Sequence, residues 1–302
     1  MTKRPRDSSV GPWAVEKLAS LDRYLDYYTK RLKKQPQWQK IYIDAFAGPG
    51  LAEVRSKPRE ESDQALQLWH DQSFDPVEQE VVFLKGSPRV ALDIANPFDL
   101  YVFIEKDATR VAELESIQSD YQRARRIEIH QGDANPILQK LLNGISKARH
   151  RGCIFLDPFG LQVPWETITA IAKTGAMEII INFPLGMALR RMLPASGNVP
   201  PGWQISLDTF FGSPDWRKHV YEERVDLLGT HVSKFVNSED RLLGWYSERL
   251  RVLFGHVSEA QLVTNTRGGR LYYLIWAGPH EAGLKGANYI LTMKTRLPKS
   301  KR

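Results

Sequence analysis

The feature that most constrains the fold of this chain is a series of short, almost continuously apolar runs that alternate with stretches of helical periodicity. Runs of this kind are typical of strands buried on both faces, as in a parallel sheet. Strand–helix alternation therefore predicts a doubly wound, Rossmann-like α/β sheet with helices on both faces. The predicted strands are residues 41–46, 101–104, 127–130, 153–156 and 178–182, and the predicted helices between them are 87–95, 108–123, 137–148 and 165–173.

The segments around this core predict a single domain over residues 13–295, with basic tails at 1–12 and 296–302. An N-terminal helix is predicted within residues 13–35, with an apolar face that includes Leu18, Leu25 and Tyr28. We expect this face to pack on the domain, and a partner-binding helix is the alternative. After the core (40–184), a mostly helical insertion is predicted at 186–258. A closing hairpin is predicted at 261–277. One face of the inserted helix is expected to carry the following residues: Tyr221, Val225, Leu228, Val232 and Phe235.

Composition excludes several classes of protein. Cys153 is the single cysteine, so the chain closes no internal disulfide and builds no multi-cysteine metal site. No pair of histidines has metal-ligand spacing, so we expect no metal centre. The net charge of +7 allows a polyanionic partner without requiring one. The apolar stretch at 176–189 is too short and too interrupted for a membrane span, and we expect a cytoplasmic protein.

An acidic residue and two glycines follow the first apolar run. Asp44 lies late in the predicted strand and Gly48-Pro49-Gly50 follow it. Ligands of doubly wound sheets bind beyond the carboxyl ends of the strands, and glycine lets the backbone approach them. Asp44 is therefore a candidate acceptor for a ligand amine. The dinucleotide fingerprint G-x-G-x-x-G is not met because residue 53 is Glu, which disfavours a nicotinamide oxidoreductase.

Acidic residues also follow the second and third runs. Glu105 occupies the position at which a carboxylate holds both hydroxyls of a ribose. Its alternative role is an acid favoured by the dipole of the next helix. Asp133 fits two roles equally well, an acceptor for an exocyclic amine or a helix N-cap.

The clearest functional motif follows the fourth run and reads Asp157-Pro158-Phe159-Gly160. The Asp157 carboxylate and the Pro158 carbonyl are expected to accept hydrogen bonds from an amine, which orients its lone pair towards an electrophile. Phe159 is expected to stack on a planar base. The alternative is a β-turn with Asp and Pro at preferred positions. Asn182-Phe183-Pro184 ends the fifth run similarly, and we interpret it mainly as a strand terminator.

In this order, the strand ends resemble the motifs of class I S-adenosylmethionine-dependent methyltransferases. The resemblance implies a seven-stranded, mostly parallel sheet with an antiparallel C-terminal strand, which the hairpin at 261–277 would close. It also implies site residues: Asp44, Phe46, Ala47, Gly48 and Gly50 for the methionine part of S-adenosylmethionine, Glu105 for the ribose, Asp133 and Ala134 for the adenine, and Asp157, Pro158 and Phe159 for catalysis.

Nearly the whole chain is also similar to the three-Cys-motif partner proteins (TcmP), a bacterial methyltransferase-like family. The matching stretches are residues 41–50, 86–88 with the helix after them, 103–105, 155–165 and 272–276. This resemblance implies a cysteine-motif protein as partner, which would carry the cysteines that this chain lacks.

The fourth motif, continued by Pro164 and Trp165, also resembles that of tRNA guanine-N2 dimethyltransferases. It departs from the Asp-Pro-Pro-aromatic pattern of adenine-N6 and cytosine-N4 enzymes, so the resemblance implies RNA rather than DNA. The leading hypothesis is methyl transfer to an amine nitrogen of an RNA base. The alternative is a non-catalytic binding or scaffold subunit for the cysteine-motif partner. The basic runs at 123–126 and 147–151 are candidate phosphate contacts, and residues 51–85 are expected to form a loop beside the cofactor pocket.

Overall fold

The computed structural model describes residues 9–10, 13–54, 82–121, 123–226, 229–265 and 268–293. The predicted tail at 296–302 and most of the predicted loop at 51–85 lie outside these ranges.

The described chain contains thirteen strands and ten α-helices. The strands are β1 (Ser9–Val10), β2 (Gln39–Asp44), β3 (Leu51–Val54), β4 (Val82–Lys85), β5 (Leu100–Glu105), β6 (Ile127–Gln131), β7 (His150–Leu156), β8 (Met177–Phe183), β9 (Tyr221–Asp226), β10 (Gly229–Lys234), β11 (His256–Val257), β12 (Gln261–Thr264) and β13 (Arg270–Gly278). The helices are α1 (Trp13–Leu32), α2 (Ser87–Leu92), α3 (Ala108–Tyr121), α4 (Ala134–Leu142), α5 (Trp165–Lys173), α6 (Arg190–Met192), α7 (Pro201–Phe211), α8 (Trp216–Val220), α9 (Ser238–Phe254) and α10 (Glu281–Thr292). A π-helical turn, Leu185–Leu189, precedes α6.

The central sheet has the order β11–β13–β8–β7–β2–β5–β6, with β12 also paired to β13. The strands from β8 to β6 are mutually parallel, and β13 runs antiparallel to β8. This is a Rossmann-like, mostly parallel α/β sheet with an antiparallel strand near one end, which confirms the predicted fold class. The sheet has eight strands rather than seven, because β11 and β12 pair with different parts of the same β13 strand.

Helices cover both faces of the sheet, because side chains alternate between faces along each strand. Ile43 of β2 and Ile154 of β7 belong to a core that includes residues of α4, α5, α7 and α9. Tyr42 and Cys153, one position earlier, belong to a second core with residues of α1, α2, α3 and α10. The nearly unbroken apolar runs of the sequence are therefore strands buried on both sides.

The N-terminal helix is confirmed, and its predicted apolar face packs on the domain. Leu21 and Leu25 are fully buried, and Tyr28 stacks on Phe98. The helix α10 was not among the predicted elements. Its glycines reduce helix propensity, but Gly283 and Gly286 lie close to Trp276 and Tyr27, where a Cβ atom would have no room.

One prediction about the flanking segments is wrong, and two others fall mostly outside the described residues. Residues 221–226 and 229–234 form an antiparallel hairpin rather than one helical face. The apolar spacing there also fits alternation along strands, and the β-branched Thr230 and Val232 favour extended structure. Within the predicted N-terminal tail, Ser9–Val10 forms β1, which pairs with β3, and β3 pairs with β4. The described ends of the predicted loop at 51–85 are thus strands.

The close approach of the loop after β2 to the start of α2 gives a testable consequence. A Cβ atom on Gly86 would lie 2.7 Å from the carbonyl oxygen of Pro49. Because backbone atoms cannot move aside cheaply, we expect Gly86→Ala to lower the free energy of unfolding by ~1–3 kcal/mol. Urea denaturation measures this. The control is Gly244→Ala in α9, where no atom lies within 4 Å of a new Cβ. It should be stabilising by ~0.5–1 kcal/mol because Ala favours helices. Equal effects of both substitutions would contradict the tight contact.

Candidate functional site

Asp44 ends the central strand β2 as a fully buried carboxylate. The Tyr42 hydroxyl donates a hydrogen bond to its Oδ2 atom at 3.4 Å. Its Oδ1 atom is buried and has no hydrogen-bond partner among the described residues. A buried acceptor without a donor is costly, and native structures contain few of them. Asp44 is therefore suited to a donor that arrives with a ligand.

Burial raises the pKa of Asp44 to about 7, and the negative charge of Asp157 also acts to raise it. The Ser87 side chain, the Phe46 backbone and the Tyr42 hydroxyl act in the opposite direction and favour the ionised form. Desolvation has the largest effect on the pKa of Asp44. No cation among the described residues compensates the charge of this carboxylate. A ligand ammonium group would supply that compensation.

Glu105 at the end of β5 holds the turn that follows β2. Its Oε2 accepts a hydrogen bond from the Gly48 N–H at 2.9 Å, and its Oε1 accepts one from the Asp107 N–H at 2.8 Å. The Ala47 N–H donates to the Ile104 carbonyl oxygen at 3.0 Å. The structure thus brings the first two predicted motifs into direct contact. Glu105 is buried and also lies near Arg110 of α3.

The two glycines of the turn have different tasks. Gly48 has a φ of +62°, and a Cβ atom there would meet no atom within 4 Å. Gly50 instead packs against Ile117 of α3, whose Cδ1 would lie 1.7 Å from a new Cβ. Gly48 therefore faces open space, whereas Gly50 is required by packing against a helix.

Asp133 is the N-cap of α4, since its Oδ1 accepts a hydrogen bond from the Asn135 N–H at 2.9 Å. Capping was one of the two predicted roles, and the adenine contact stays a prediction. Asn135 Nδ2 also donates to the Gln162 carbonyl oxygen at 2.9 Å, and Gln162 Oε1 accepts from the Phe159 N–H at 3.2 Å. The cap of α4 is thereby connected to the loop after β7. Ala134 is buried beside it.

Asp157, directly after β7, is engaged on both oxygens. Asn182 of β8 donates from Nδ2 to Oδ1 at 2.8 Å, and the Lys17 ammonium of α1 forms an ion pair with Oδ2. Lys17 is mostly buried and also lies over the Tyr272 ring, 5.5 Å from its centroid. The proposed amine-binding carboxylate thus already binds an amine, which belongs to the protein itself.

Asn182 carries a second unpaired acceptor beside Asp157. The residue is 7% exposed, and its Oδ1 atom is buried without a hydrogen-bond partner among the described residues. The interpretation of residues 182–184 as mainly a strand terminator is therefore incomplete. Asn182 positions Asp157 and offers an oxygen that needs a donor.

The remaining two residues of the fourth motif differ in exposure. Pro158 is buried, whereas Phe159 is 77% exposed. An exposed aromatic ring next to a half-buried carboxylate suits stacking on a planar ligand. The predicted alternative, a β-turn without further role, does not account for the exposed ring.

The predicted phosphate contacts lie elsewhere. Residues 123–126 precede β6 and residues 147–151 lead into β7, so both runs lie at the amino ends of the strands, opposite Asp157. Arg126 pairs with Glu128, and Arg151 is buried against Trp38. Neither run contributes to the edge of the sheet that carries the candidate site.

Sequence reasoning missed Lys17, and it undervalued Asn182. Lys17 lies in α1, a helix whose sequence pattern is dominated by its apolar face. Its partner Asp157 follows 140 residues later in the chain. No short-range signal links it to Asp157. Asn182 follows a strand in the same way as Asp157 follows its strand, and this similarity was the available clue.

No family model matches the chain, and no curated protein matches it. Solved structures do resemble it. A protein from Legionella pneumophila is 16% identical with a TM-score of 0.42, over 86% of this chain and 97% of that one. A putative methyltransferase from Escherichia coli is 12% identical with a TM-score of 0.33, over 85% and 87%. M. jannaschii TYW2 in complex with AdoMet is 10% identical with a TM-score of 0.29, over 83% and 73%. At such low identity, none of them indicates what this chain binds. In the part of the chain that the structure describes, no helix is long and apolar enough to cross a membrane.

The raised pKa of Asp44 predicts a pH-dependent stability. In an unfolded chain the pKa of an Asp carboxyl is about 3.9. Between about pH 4 and the folded pKa of about 7, only the folded state therefore keeps the proton on Asp44. The free energy of unfolding therefore falls as pH rises through this window. A tenfold difference in proton affinity between the folded and unfolded states corresponds to ~1.4 kcal/mol.

Asp44→Asn removes this titration. The stability of the variant relative to the unsubstituted protein should improve as pH rises from about 5 to about 8, as measured by urea denaturation at each pH. The control is Asp120→Asn, at an exposed position. Its stability relative to the unsubstituted protein should change little with pH. A pH-independent difference for Asp44→Asn would show that the residue does not hold a proton in the folded state.

Proposed function

We propose that the chain is an S-adenosylmethionine-dependent N-methyltransferase, and that its acceptor is an amine nitrogen of a base in RNA. The observation that carries this proposal is the pair of buried, unpaired acceptor oxygens, Asp44 Oδ1 and Asn182 Oδ1. They lie at the carboxyl ends of β2 and β8, on either side of Asp157 and at the edge where doubly wound sheets bind ligands. Both oxygens need N–H donors.

The residues after β2, β5 and β6 fit the cofactor. Asp44 is suited to an ammonium group, which would match its negative charge and satisfy Oδ1. Glu105 is suited to ribose hydroxyls, on condition that its bond to the Gly48 N–H rearranges or is shared. Gly48, with open space where a side chain would be, leaves room for a ligand beside the turn. When bound, S-adenosylmethionine supplies an electrophilic methyl group on a sulfonium.

The residues after β7 and β8 fit the acceptor amine. Asp157 accepts one N–H of the amine once Lys17 has left Oδ2, and Asn182 Oδ1 accepts a second. Two accepted hydrogen bonds fix the direction of the nitrogen lone pair, and such positioning contributes much of the acceleration of a displacement reaction. The proton released after methyl transfer passes to Asp157 and then to solvent.

The exposed ring of Phe159 supports a nucleobase as the acceptor. A base splayed out of its strand gains ~1–3 kcal/mol from stacking on an aromatic side chain. The proposal of RNA rather than DNA as the substrate rests on the resemblance of residues 157–165 to the fourth motif of tRNA guanine-N2 dimethyltransferases. Membership of the TcmP family, and a cysteine-motif protein as partner, rest on resemblance over residues 41–50, 86–88 with the helix after them, 103–105, 155–165 and 272–276.

A second candidate function is supported by the ion pair between Lys17 and Asp157. If this pair is permanent, the acceptor position is closed and the chain is a non-catalytic subunit that acts with the cysteine-motif protein. In that case Lys17 ties α1 to the sheet and has only a structural task. The two functions therefore predict different effects of removing Lys17 on methyl transfer and on thermal stability.

Cofactor binding is tested by calorimetric titration with S-adenosylmethionine and S-adenosylhomocysteine. We expect Glu105→Gln to weaken binding at least about tenfold, or ~1.4 kcal/mol, because an amide accepts fewer hydrogen bonds. Glu128→Gln, at the opposite end of the neighbouring strand, should bind as the unsubstituted protein does. Undetectable binding by the unsubstituted protein would contradict the cofactor assignment.

Methyl transfer is tested with tritiated S-adenosylmethionine and total RNA. We expect Asp157→Ala to lower transfer by about 100-fold or more, because the acceptor amine loses its acceptor. Binding of S-adenosylhomocysteine should stay within about threefold of the unsubstituted protein. Asp120→Asn is the surface control. Full transfer by Asp157→Ala would remove Asp157 from the acceptor site.

Lys17→Met separates the two candidate functions. If the chain is an enzyme, the variant should transfer methyl groups at least as fast as the unsubstituted protein, because the substrate amine no longer competes with Lys17 for Asp157. If the ion pair is structural, the variant loses thermal stability and neither protein transfers methyl groups. Rates and melting temperatures are measured on the same preparations.

A further inference from the structure

A cavity with charged residues in its wall lies at the opposite end of the sheet from Asp157. It has a volume of about 390 Å³ and is bounded by the last turns of α1, the first turn of α10 and the amino ends of β7 and β8. This volume falls in the lower part of the range that small-ligand sites occupy, roughly 300–1,000 Å³. None of the candidate methyl-transfer residues lines it.

Glu178, near the start of β8, contributes a buried carboxylate to this cavity. The residue is 4% exposed. Tyr24 donates to its Oε2 atom at 2.5 Å, and the indole N–H of Trp276 donates to the same atom at 3.3 Å. Both hydrogen bonds that the carboxylate accepts from described residues thus end on Oε2. Its Oε1 atom lies beside Gly283, which also lines the cavity.

Arg151, in β7 beside Glu178, contributes a buried guanidinium. The residue is 8% exposed, and its guanidinium stacks on Trp38 at 3.9 Å from the ring centroid. Its Nη1 donates to the carbonyl oxygens of Lys147 and His150. These contacts orient the guanidinium without a carboxylate partner, and no ion pair joins Arg151 to Glu178 in the described structure. A buried acid and a buried base therefore line one cavity and attract each other electrostatically without forming an ion pair.

Two helix ends of opposite polarity meet at the same cavity. Tyr28, Arg31 and Leu32 in the last turns of α1 line it, as do residues of the first turn of α10. The C-terminal end of a helix favours a cation and the N-terminal end favours an anion. The acidic Glu281 at the start of α10 is exposed and pairs with Lys285, so its charge is already compensated.

We propose that this cavity binds a small zwitterion of the α-amino-acid type. Its ammonium group is held by Glu178 Oε1 and the C-terminal end of α1. Its carboxylate is held by Arg151 and the N-terminal end of α10. The apolar parts of Tyr27, Tyr28 and Trp38 accommodate the side chain. This combination places an opposite charge in direct contact with each buried group, which neither a simple amine nor a simple acid does.

Burial also raises the pKa of Glu178 to about 7 and lowers the pKa of His280, another residue of the cavity wall. Both effects arise because burial disfavours the charged form of each group; the charge of Arg151 opposes the shift of Glu178 and adds to that of His280. A bound ammonium group would favour the ionised form of Glu178.

The first test uses the unsubstituted protein and the common L-amino acids, added one at a time, with binding measured by calorimetry. At least one should bind. Its decarboxylated amine and its deaminated acid should each bind at least about tenfold more weakly, because each satisfies only one of the two buried charges. Absence of binding by every amino acid, or equal binding by either analogue, would overturn the proposal.

The second test places the binding in this cavity. Glu178→Gln and Arg151→Gln should each weaken binding of that amino acid at least about tenfold, whereas the exposed Arg126→Gln should not. Each variant is first checked for an intact circular-dichroism spectrum. Asp44→Ala must leave the amino-acid affinity unchanged. Loss of binding in Asp44→Ala would show that the amino acid occupies the proposed cofactor site instead, and would overturn the assignment. Because Asp44 is not part of this cavity, failure here and failure of the methyltransferase proposal are separate outcomes.

Discussion

The candidate site depends on one electrostatic constraint, the buried Asp44 carboxylate at the end of the central strand. Taking a carboxylate out of water is costly unless hydrogen bonds or a positive charge compensate it. Here the Tyr42 hydroxyl, the Ser87 side chain and the Phe46 backbone compensate the charge only in part, and the nearby acid Asp157 makes ionisation harder. The sheet around it is packed on both faces. A cationic ligand would relieve a cost that the fold otherwise carries.

Asp157 illustrates the opposite solution. It is only partly buried, and the Lys17 ammonium and the Asn182 amide compensate it within the chain. A carboxylate that must later accept an amine is thereby held in a fixed orientation. The same contact joins α1 to the edge that carries the candidate site, so the N-terminal helix contributes to this site and not only to the core. In the proposed reaction the substrate amine and the Lys17 ammonium compete for Asp157 Oδ2. Substrate binding therefore depends on the position of Lys17.

Much of the fold could be predicted because its signals are local. The apolar runs that became β2, β5, β6, β7 and β8 are short and nearly unbroken, and each is followed by polar or turn-forming residues. The hairpin of β9 and β10 was mistaken for a helix because apolar residues at its positions fit both periods. The helix α10 escaped detection because its glycines, which allow close packing on Trp276 and Tyr27, lower its intrinsic propensity. In both cases tertiary contacts outweighed the local pattern.

The sequence by itself determined the order of the core strands β2, β5, β6, β7 and β8 with the helices between them, and the acidic residues after four of these strands, because parallel strands place consecutive motifs at one edge of a sheet. It also indicated which residue types stand there to accept hydrogen bonds. Only the tertiary structure decided which oxygens remain unpaired, that Lys17 reaches Asp157, and that Glu178 and Arg151 meet at a second cavity without pairing. These contacts join residues far apart in the chain. They depend on how helices α1 and α10 lie against the sheet, which no local spacing encodes.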